Sequence, residues 1–483
     1  MTTLYHIQPR INHIDVGIVA IAVLAVTVSV WFIALGYCWV PFGLFGTAIA
    51  CGVILRRWKW GIFGLLIYLP FAGIPTIMLY PAPVISLLIK DLLFVIPAYF
   101  GFFVWYAKNH WAVPKLFAGG PIRLLIALGL IVFAQVFNPA LTNRLVGLVG
   151  VKVWLFYVPL CILGYHLIDS QDHLLRLTKL MLIVSLVPVL VGLIEAVLIY
   201  SGFSYQVYSF YGDAASAVTQ GYAETTLGEG RLVRIPSTFT FAAQYYNYLL
   251  AMLAIAYAVW LAESQKRRRR YLLLAMMGLI VLAGMLSGAR GAFVMIPLFF
   301  FCTVLLKANW HKSWQPLVVV PGGVVVTILL IDTTLRDLFS ALSDLTRSYI
   351  FEVQIGEFIE ALNITLLGLG SGMNTGPARY LANASLIGLE NFYAKIVVEL
   401  GIPGLVIVLA LFGTILARSL AELYRLRNPV LRAYSVSLIA FLLISMINLW
   451  KGSYLDIDPL NVYFWLFAGI LMKLPHLESM QVS

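Results

Sequence analysis

Apolar stretches, each long enough to cross a hydrocarbon layer of about 30 Å, recur along the whole chain and are separated by short polar or basic connections. Fourteen are predicted, over residues 14–35, 37–55, 60–80, 84–106, 121–137, 151–168, 177–200, 236–261, 271–286, 291–306, 316–331, 389–418, 432–449 and 459–474. Backbone groups in lipid need partners from their own segment, so these stretches should be helices. Short alternating strands of the kind that close a membrane barrel are not visible. The expected fold class is all-α: a polytopic transmembrane helical bundle of about 14 spans, forming one integral membrane domain over residues 1–483. The first stretch is too long for a signal-peptide core and lacks a convincing cleavage site, so it reads as a retained span. Gly and Pro interrupt the second and third.

The connections set an orientation. Basic clusters at residues 56–59, 108–115, 176–179, 266–270, 307–312 and 418–432 occupy every second one. The positive-inside rule makes these cytoplasmic, with both termini on that side. Two long connections, residues 201–235 and 332–388, then fall on the extracytoplasmic side, where long loops tend to carry function. Within the second, residues 341–362 carry Leu345, Tyr349, Val353 and Ile359 at helical spacing among Arg347, Glu352, Glu357 and Glu360. This predicts an amphipathic helix lying on the outer membrane surface or capping the bundle. A Gly-rich turn follows at residues 369–376.

Composition agrees. Of 483 residues, 61% are hydrophobic and only 11% charged, with mean hydropathy +0.94, too little polar surface to clad a soluble core. The net charge of +11 comes from cations dispersed between spans, which makes the lipid bilayer a partner and nucleic acid not one. All four cysteines lie inside or beside predicted spans without a C-x-x-C pair. The histidines and acids show no metal-ligand spacing, and phosphate-binding glycine motifs are missing from the cytoplasmic connections. A metal-independent mechanism without a cofactor is expected.

Of 32 Lys and Arg, 21 are assigned to the cytoplasmic side. The other eleven are Lys90, Arg144, Lys152, Arg231, Arg234, Arg290, Arg336, Arg347, Arg379, Lys395 and Lys451, and each needs a local reason. Arg231 and Arg234 are three apart, so a helical turn would put them on one side, where guanidinium forks suit phosphate oxygens; a salt bridge to Glu224 or Glu229 is the plainer alternative. Arg290 lies in Ser287-Gly288-Ala289-Arg290-Gly291, whose glycines would admit a ligand's oxygens close to the backbone; headgroup snorkelling is its alternative. Glu390 opens a span in Glu390-Asn391-Phe392-Tyr393, where partial desolvation would favour a role as general base and the helix dipole offers a structural explanation. Lys395 and Glu399, four apart, are expected to pair with each other, and Lys90-Asp91 and Glu195 to form a buried network or a proton path. Asn391, Tyr393, Lys451 and Tyr454 are further candidates near these span ends.

Three features in this order resemble the O-antigen ligase/polymerase superfamily: Ser287-Gly288-Ala289-Arg290-Gly291 at a span junction, the long loop before a span, and Glu390-Asn391-Phe392-Tyr393 followed by Glu399-Leu400-Gly401-Ile402-Pro403-Gly404-Leu405. The resemblance covers roughly residue 231 to the C-terminus. It implies a GT-C-like glycosyltransferase of the bacterial inner membrane whose donor is a glycan on undecaprenyl pyrophosphate. Arg231, Arg234, Arg290 and Arg347 would bind the pyrophosphate, Glu390, where family members commonly carry His, would activate the acceptor hydroxyl, with Arg290 also catalytic, and Asn391, Tyr393, Lys451 and Tyr454 would be the candidate glycan contacts. Polymerisation of O-antigen or exopolysaccharide repeat units is the expected activity, with other polysaccharide-assembly proteins as partners. Ligation of a finished glycan to a lipid or protein acceptor is the alternative within the same chemistry, and a lipid-linked oligosaccharide flippase the alternative of another class.

Overall fold

A computed structural model describes residues 40–79, 88–109, 120–141, 143–212, 224–227, 230–263, 267–306, 318–331, 333–376, 378, 381 and 386–482. Of the described residues, about 81% are helical. Helices α1 (Val40–Arg56), α2 (Trp58–Tyr68), α3 (Gly73–Met78) and α4 (Leu88–Asn109) lead into α5 (Gly120–Gln135), α6 (Arg144–Leu155), α7 (Leu160–Leu167), α8 (Gln171–Tyr200) and α9 (Ser204–Tyr211). An antiparallel hairpin, β1 (Glu224–Leu227) and β2 (Gly230–Val233), precedes α10 (Ala242–Ala262), α11 (Arg267–Leu286), α12 (Ala292–Leu306) and α13 (Val319–Ile331). The long helical run α14 (Leu335–Ile364), then α15 (Phe392–Leu423), α16 (Pro429–Asn448) and α17 (Leu460–Val482), complete the order.

The contacts group into two units, Met1–Tyr68 with Ala82–Ala112, and Leu69–Pro81 with Val113–Ser483. In the first, Lys90 Nζ donates to Asp91 Oδ1 at 3.0 Å, so that intramembrane pair neutralises itself. In the second, Glu195 accepts from Tyr211 Oη at 2.6 Å and from the Ser237 amide at 3.1 Å.

Among the described residues, eight helices are long and apolar enough to cross a membrane. They are α4, α6 taken with α7, α8, α10, α11, α15, α16 and α17; α13 and α14 qualify only together, as a pair bent by 108°, which would make nine. The helical bundle therefore stands, whereas the count of 14 is not established. The stretch at 14–35 lies outside the described residues, and those at 121–137 and 291–306 form the shorter apolar helices α5 and α12. The stretch at 60–80 is broken into α2, a 3-10 turn (Leu69–Phe71) and α3, because Pro70 removes an amide donor at the break, whereas Pro75 is tolerated in the first turn of α3. Helices α10, α16 and α17 are buried on nearly all sides, as helices apolar all round should be.

Two departures from straight helix position the site. At Gly401 (φ 73°, ψ −176°) α15 is broken, and residues 366–369 run alongside the gap. The Ile402 amide donates to Leu366 O at 2.9 Å and the Leu369 amide to Val398 O at 2.7 Å, satisfying groups that the break frees. A Cβ at Gly401 would lie 2.5 Å from Leu367 C, so only glycine permits this approach. In α14, residues Leu345–Val353 form a π-helix. Its wider turn shifts the register of everything beyond it. The apolar stripe extrapolated from the sequence therefore fails: Val353 and Ile359 are exposed, while Gln354 and Ala361 face the bundle.

A buried ionic cluster pins the Gly-rich turn to α15. Lys395 Nζ donates to Asp456 Oδ2 and stands 3.9 Å from Glu399 Oε1, so the expected Lys395–Glu399 pair has a closer third member. Glu399 accepts from Trp154 Nε1 at 2.6 Å, the Asn374 amide at 2.8 Å and Thr375 Oγ1 at 3.0 Å. Burial pushes the Asp456 carboxyl up to about 6 against the pull of Lys395.

Candidate functional site

The loop Ser287–Gly291 joins α11 to α12 and packs on the chain leaving β2. Ser287 O accepts the Ile235 amide at 3.0 Å. Gly288 (φ 74°) has no room for a side chain, since a Cβ there would lie 2.3 Å from Val233 O and 2.6 Å from Arg234 Cα. The close approach that this glycine permits is thus made by the protein's own backbone, and it locks the Arg234 and Arg290 segments together. Arg290 stands at the start of α12, where its carbonyl accepts the Phe293 amide at 3.3 Å. Helix stability favours an acid at that end; a cation there adds to the positive end of the helix dipole.

Lys451 completes the group from the turn after α16, its amide bonded to Asn448 O at 3.0 Å. Its ammonium lies 3.4 Å from the position a Gly291 Cβ would take and 5.8 Å from the Tyr349 ring centroid. Burial, then Arg290, then Arg234 lower its pKa to about 8, with Glu390 pulling the other way. Three cations from separate stretches therefore share one electrostatic environment. Arg234 is exposed and the other two half-buried. Among the described residues none of the three has a carboxylate within 4 Å. Cations held together with no carboxylate in contact among the described residues raise the local positive potential.

Glu390 flanks them. Its Oε2 accepts from Tyr349 Oη, its carbonyl from Ser453 Oγ at 3.1 Å, and its amide donates to Glu357 Oε2 at 2.9 Å. Glu390 is exposed, so the partial desolvation expected at this depth is absent. The neighbouring phenols are held neutral: burial and then Glu390 raise Tyr349, and burial and Glu390 raise Tyr454 against an opposing Arg234. Both remain hydrogen-bond donors.

The remaining sequence candidates separate. Arg231 lies on strand β2 opposite Thr226, so the helical turn expected to align it with Arg234 does not form; its side chain is outside the described residues. Arg347 is exposed and lines an open groove with Phe339, Thr346 and Phe351, and among the described residues it makes no contact with the three cations. Asn391 is fully buried as the N-cap of α15, accepting from the Tyr393 and Ala394 amides and donating to Gln354 O at 3.0 Å, so its side chain serves the cap and presents no surface to a glycan. Tyr393 spends its hydroxyl on Met446 O at 2.7 Å and its ring on Phe392 and Trp450. Lys451 and Tyr454 do reach the site, Lys451 as part of its charge.

Sequence reasoning missed Tyr349 and Glu357, which read only as one apolar and one charged position of an amphipathic helix. It also missed Asp456, whose partner lies 61 residues away. No local spacing marks any of them.

No protein-family model matches the chain, and no curated protein matches it, so the chemistry of this site rests on its own groups.

Proposed function

We propose that this chain is an inverting, metal-independent glycosyltransferase that polymerises undecaprenyl-pyrophosphate-linked repeat units for O-antigen or exopolysaccharide at the bacterial inner membrane. The observation that carries the reading is the meeting of Arg234, Arg290 and Lys451, with no carboxylate in contact among the described residues, beside Glu390. The group sits where α11 ends and where α12 and α15 begin; the basic residues at 267–270 and 418–432 belong to the opposite ends of α11 and α15. That alternation is the one expected of an extracytoplasmic anion site with cytoplasmic termini.

In this reading the three cations bind the diphosphate and offset the charge it gains as the bond from the anomeric carbon to its oxygen breaks. The leaving diphosphate takes the electron pair. The acceptor hydroxyl attacks from the opposite face, inverting that carbon, and passes its proton to Glu390, which releases it to solvent. Tyr349 orients Glu390 through its Oε2 and leaves Oε1 for the incoming hydroxyl.

Removal of the chain from its cell tests the reading. Accumulation of single lipid-linked repeat units is the expected result; long lipid-linked polymer would indicate a ligase instead. Purified protein in liposomes should form glycosidic bonds, whereas translocation of lipid-linked glycan without bond formation would indicate a flippase.

A further inference from the structure

Beside the cation group, the missing side chain of Gly291 leaves a recess about the size of a methyl group. Its floor is Gly291, and the point where a side chain would begin there is 3.4 Å from Lys451 Nζ, 3.6 Å from Tyr246 Oη and 3.9 Å from Asn448 Oδ1. Tyr246 and Asn448 are 2% and 0% exposed, and neither Tyr246 Oη nor Asn448 Oδ1 has a hydrogen-bond partner among the described residues. Such groups cost stability unless something satisfies them.

The amide orientations say what that something is. Asn247 Nδ2 donates to Ala243 O at 2.8 Å, which turns its Oδ1 toward Asn448 Nδ2 at 3.2 Å. The Asn448 Oδ1 is therefore the end left facing the recess. A phosphate oxygen only accepts and would meet the lone pairs of this carbonyl. A hydroxyl donates to Asn448 Oδ1 while accepting from Tyr246 or Lys451. Gly291 adjoins Arg290, and Lys451 belongs to both groups, so the hydroxyl lies within about one sugar ring of the diphosphate.

We propose that Tyr246, Asn448, Lys451 and the absent side chain of Gly291 form a subsite for a hydroxyl of the first sugar carried by the diphosphate. This rests on the diphosphate reading above.

The test compares binding of farnesyl diphosphate with farnesyl-diphosphate-linked glucose, galactose, N-acetylglucosamine and N-acetylgalactosamine to detergent-purified full-length protein. The parent should bind at least one glycosylated probe roughly tenfold more tightly than the bare diphosphate. Tyr246→Phe and Gly291→Ala, whose methyl fills the recess, should erase that margin and leave bare-diphosphate affinity unchanged. Tyr246→Phe should not lower the melting temperature, since the lost hydroxyl has no partner among the described residues. The proposal is overturned by a margin that survives both substitutions, by equal weakening of bare and glycosylated probes, or by no margin on any sugar. A clear drop in the melting temperature of Tyr246→Phe would also overturn it, because the hydroxyl would then be holding only structure or a water molecule. Arg290→Ala separates the two claims: if it leaves bare-diphosphate binding intact, the diphosphate reading itself fails.

Discussion

Between pH 7 and pH 9, affinity for a lipid-linked diphosphate sugar should fall close to tenfold, because Lys451 loses its proton in that window. With its pKa lowered to about 8 in the free protein, Lys451 is roughly 90% charged at pH 7 and roughly 10% charged at pH 9. The diphosphate diester is fully ionised throughout, so its own titration adds nothing. Bound negative charge favours the ammonium and raises the pKa of Lys451 in the complex, so binding takes up a proton and weakens as pH rises. Titration calorimetry at pH 8 in two buffers of different ionisation enthalpy should register an uptake of about half a proton. Arg290→Ala removes the second-largest cause of the depression. It should move the midpoint upward, toward the ordinary lysine value, while lowering affinity at pH 7 by roughly 10- to 100-fold through loss of charge-assisted hydrogen bonds. Lys451→Met should give a weak but nearly flat profile. A parent profile that is flat from pH 7 to 9, or a midpoint unmoved by Arg290→Ala, would refute the shared anion site.

Gly288→Ala forces a Cβ against Val233 O in a left-handed backbone and should destabilise the protein by about 3 kcal/mol or more, read as a fall in melting temperature together with weaker diphosphate binding; a parent-like melt would show that this loop does not pack on the β2 exit. Gly401→Ala should be comparably damaging, since its Cβ meets the backbone of residues 366–367; unchanged stability would mean that the break in α15 is not held open by that segment. Asp456→Ala leaves the buried Lys395 with Glu399 at 3.9 Å and Thr375 Oγ1 at 3.2 Å and should cost about 1.5–3 kcal/mol, whereas Lys395→Met, which leaves the buried carboxylates without a cation, should cost less when Asp456→Ala is already present than it does alone. Simple additivity of the two substitutions in thermal melts would rule out their coupling.

The hydrophobic pattern alone determined the helices. Inside lipid the backbone has no other way to satisfy itself, so the predicted stretches at 177–200, 236–261, 271–286 and 432–449 reappear as α8, α10, α11 and α16 within a few residues. The sequence also singled out Arg234, Arg290, Glu390 and Lys451, because cations and acids at the far ends of apolar spans are costly enough to need a reason. What it left open depended on contacts between distant segments. The nine-residue π-helix in α14 destroyed the spacing that an ordinary helix would have kept, exposing Val353 and delivering Tyr349 to Glu390. A hairpin replaced the helical turn at Arg231, because strand pairing with Thr226 is a choice between two segments rather than a property of either. Lys395 found Asp456, and Tyr246 met Asn448 above Gly291, across separations no periodicity encodes. Local propensity decides which residues coil. Only packing decides which coils bring their polar groups to the same place.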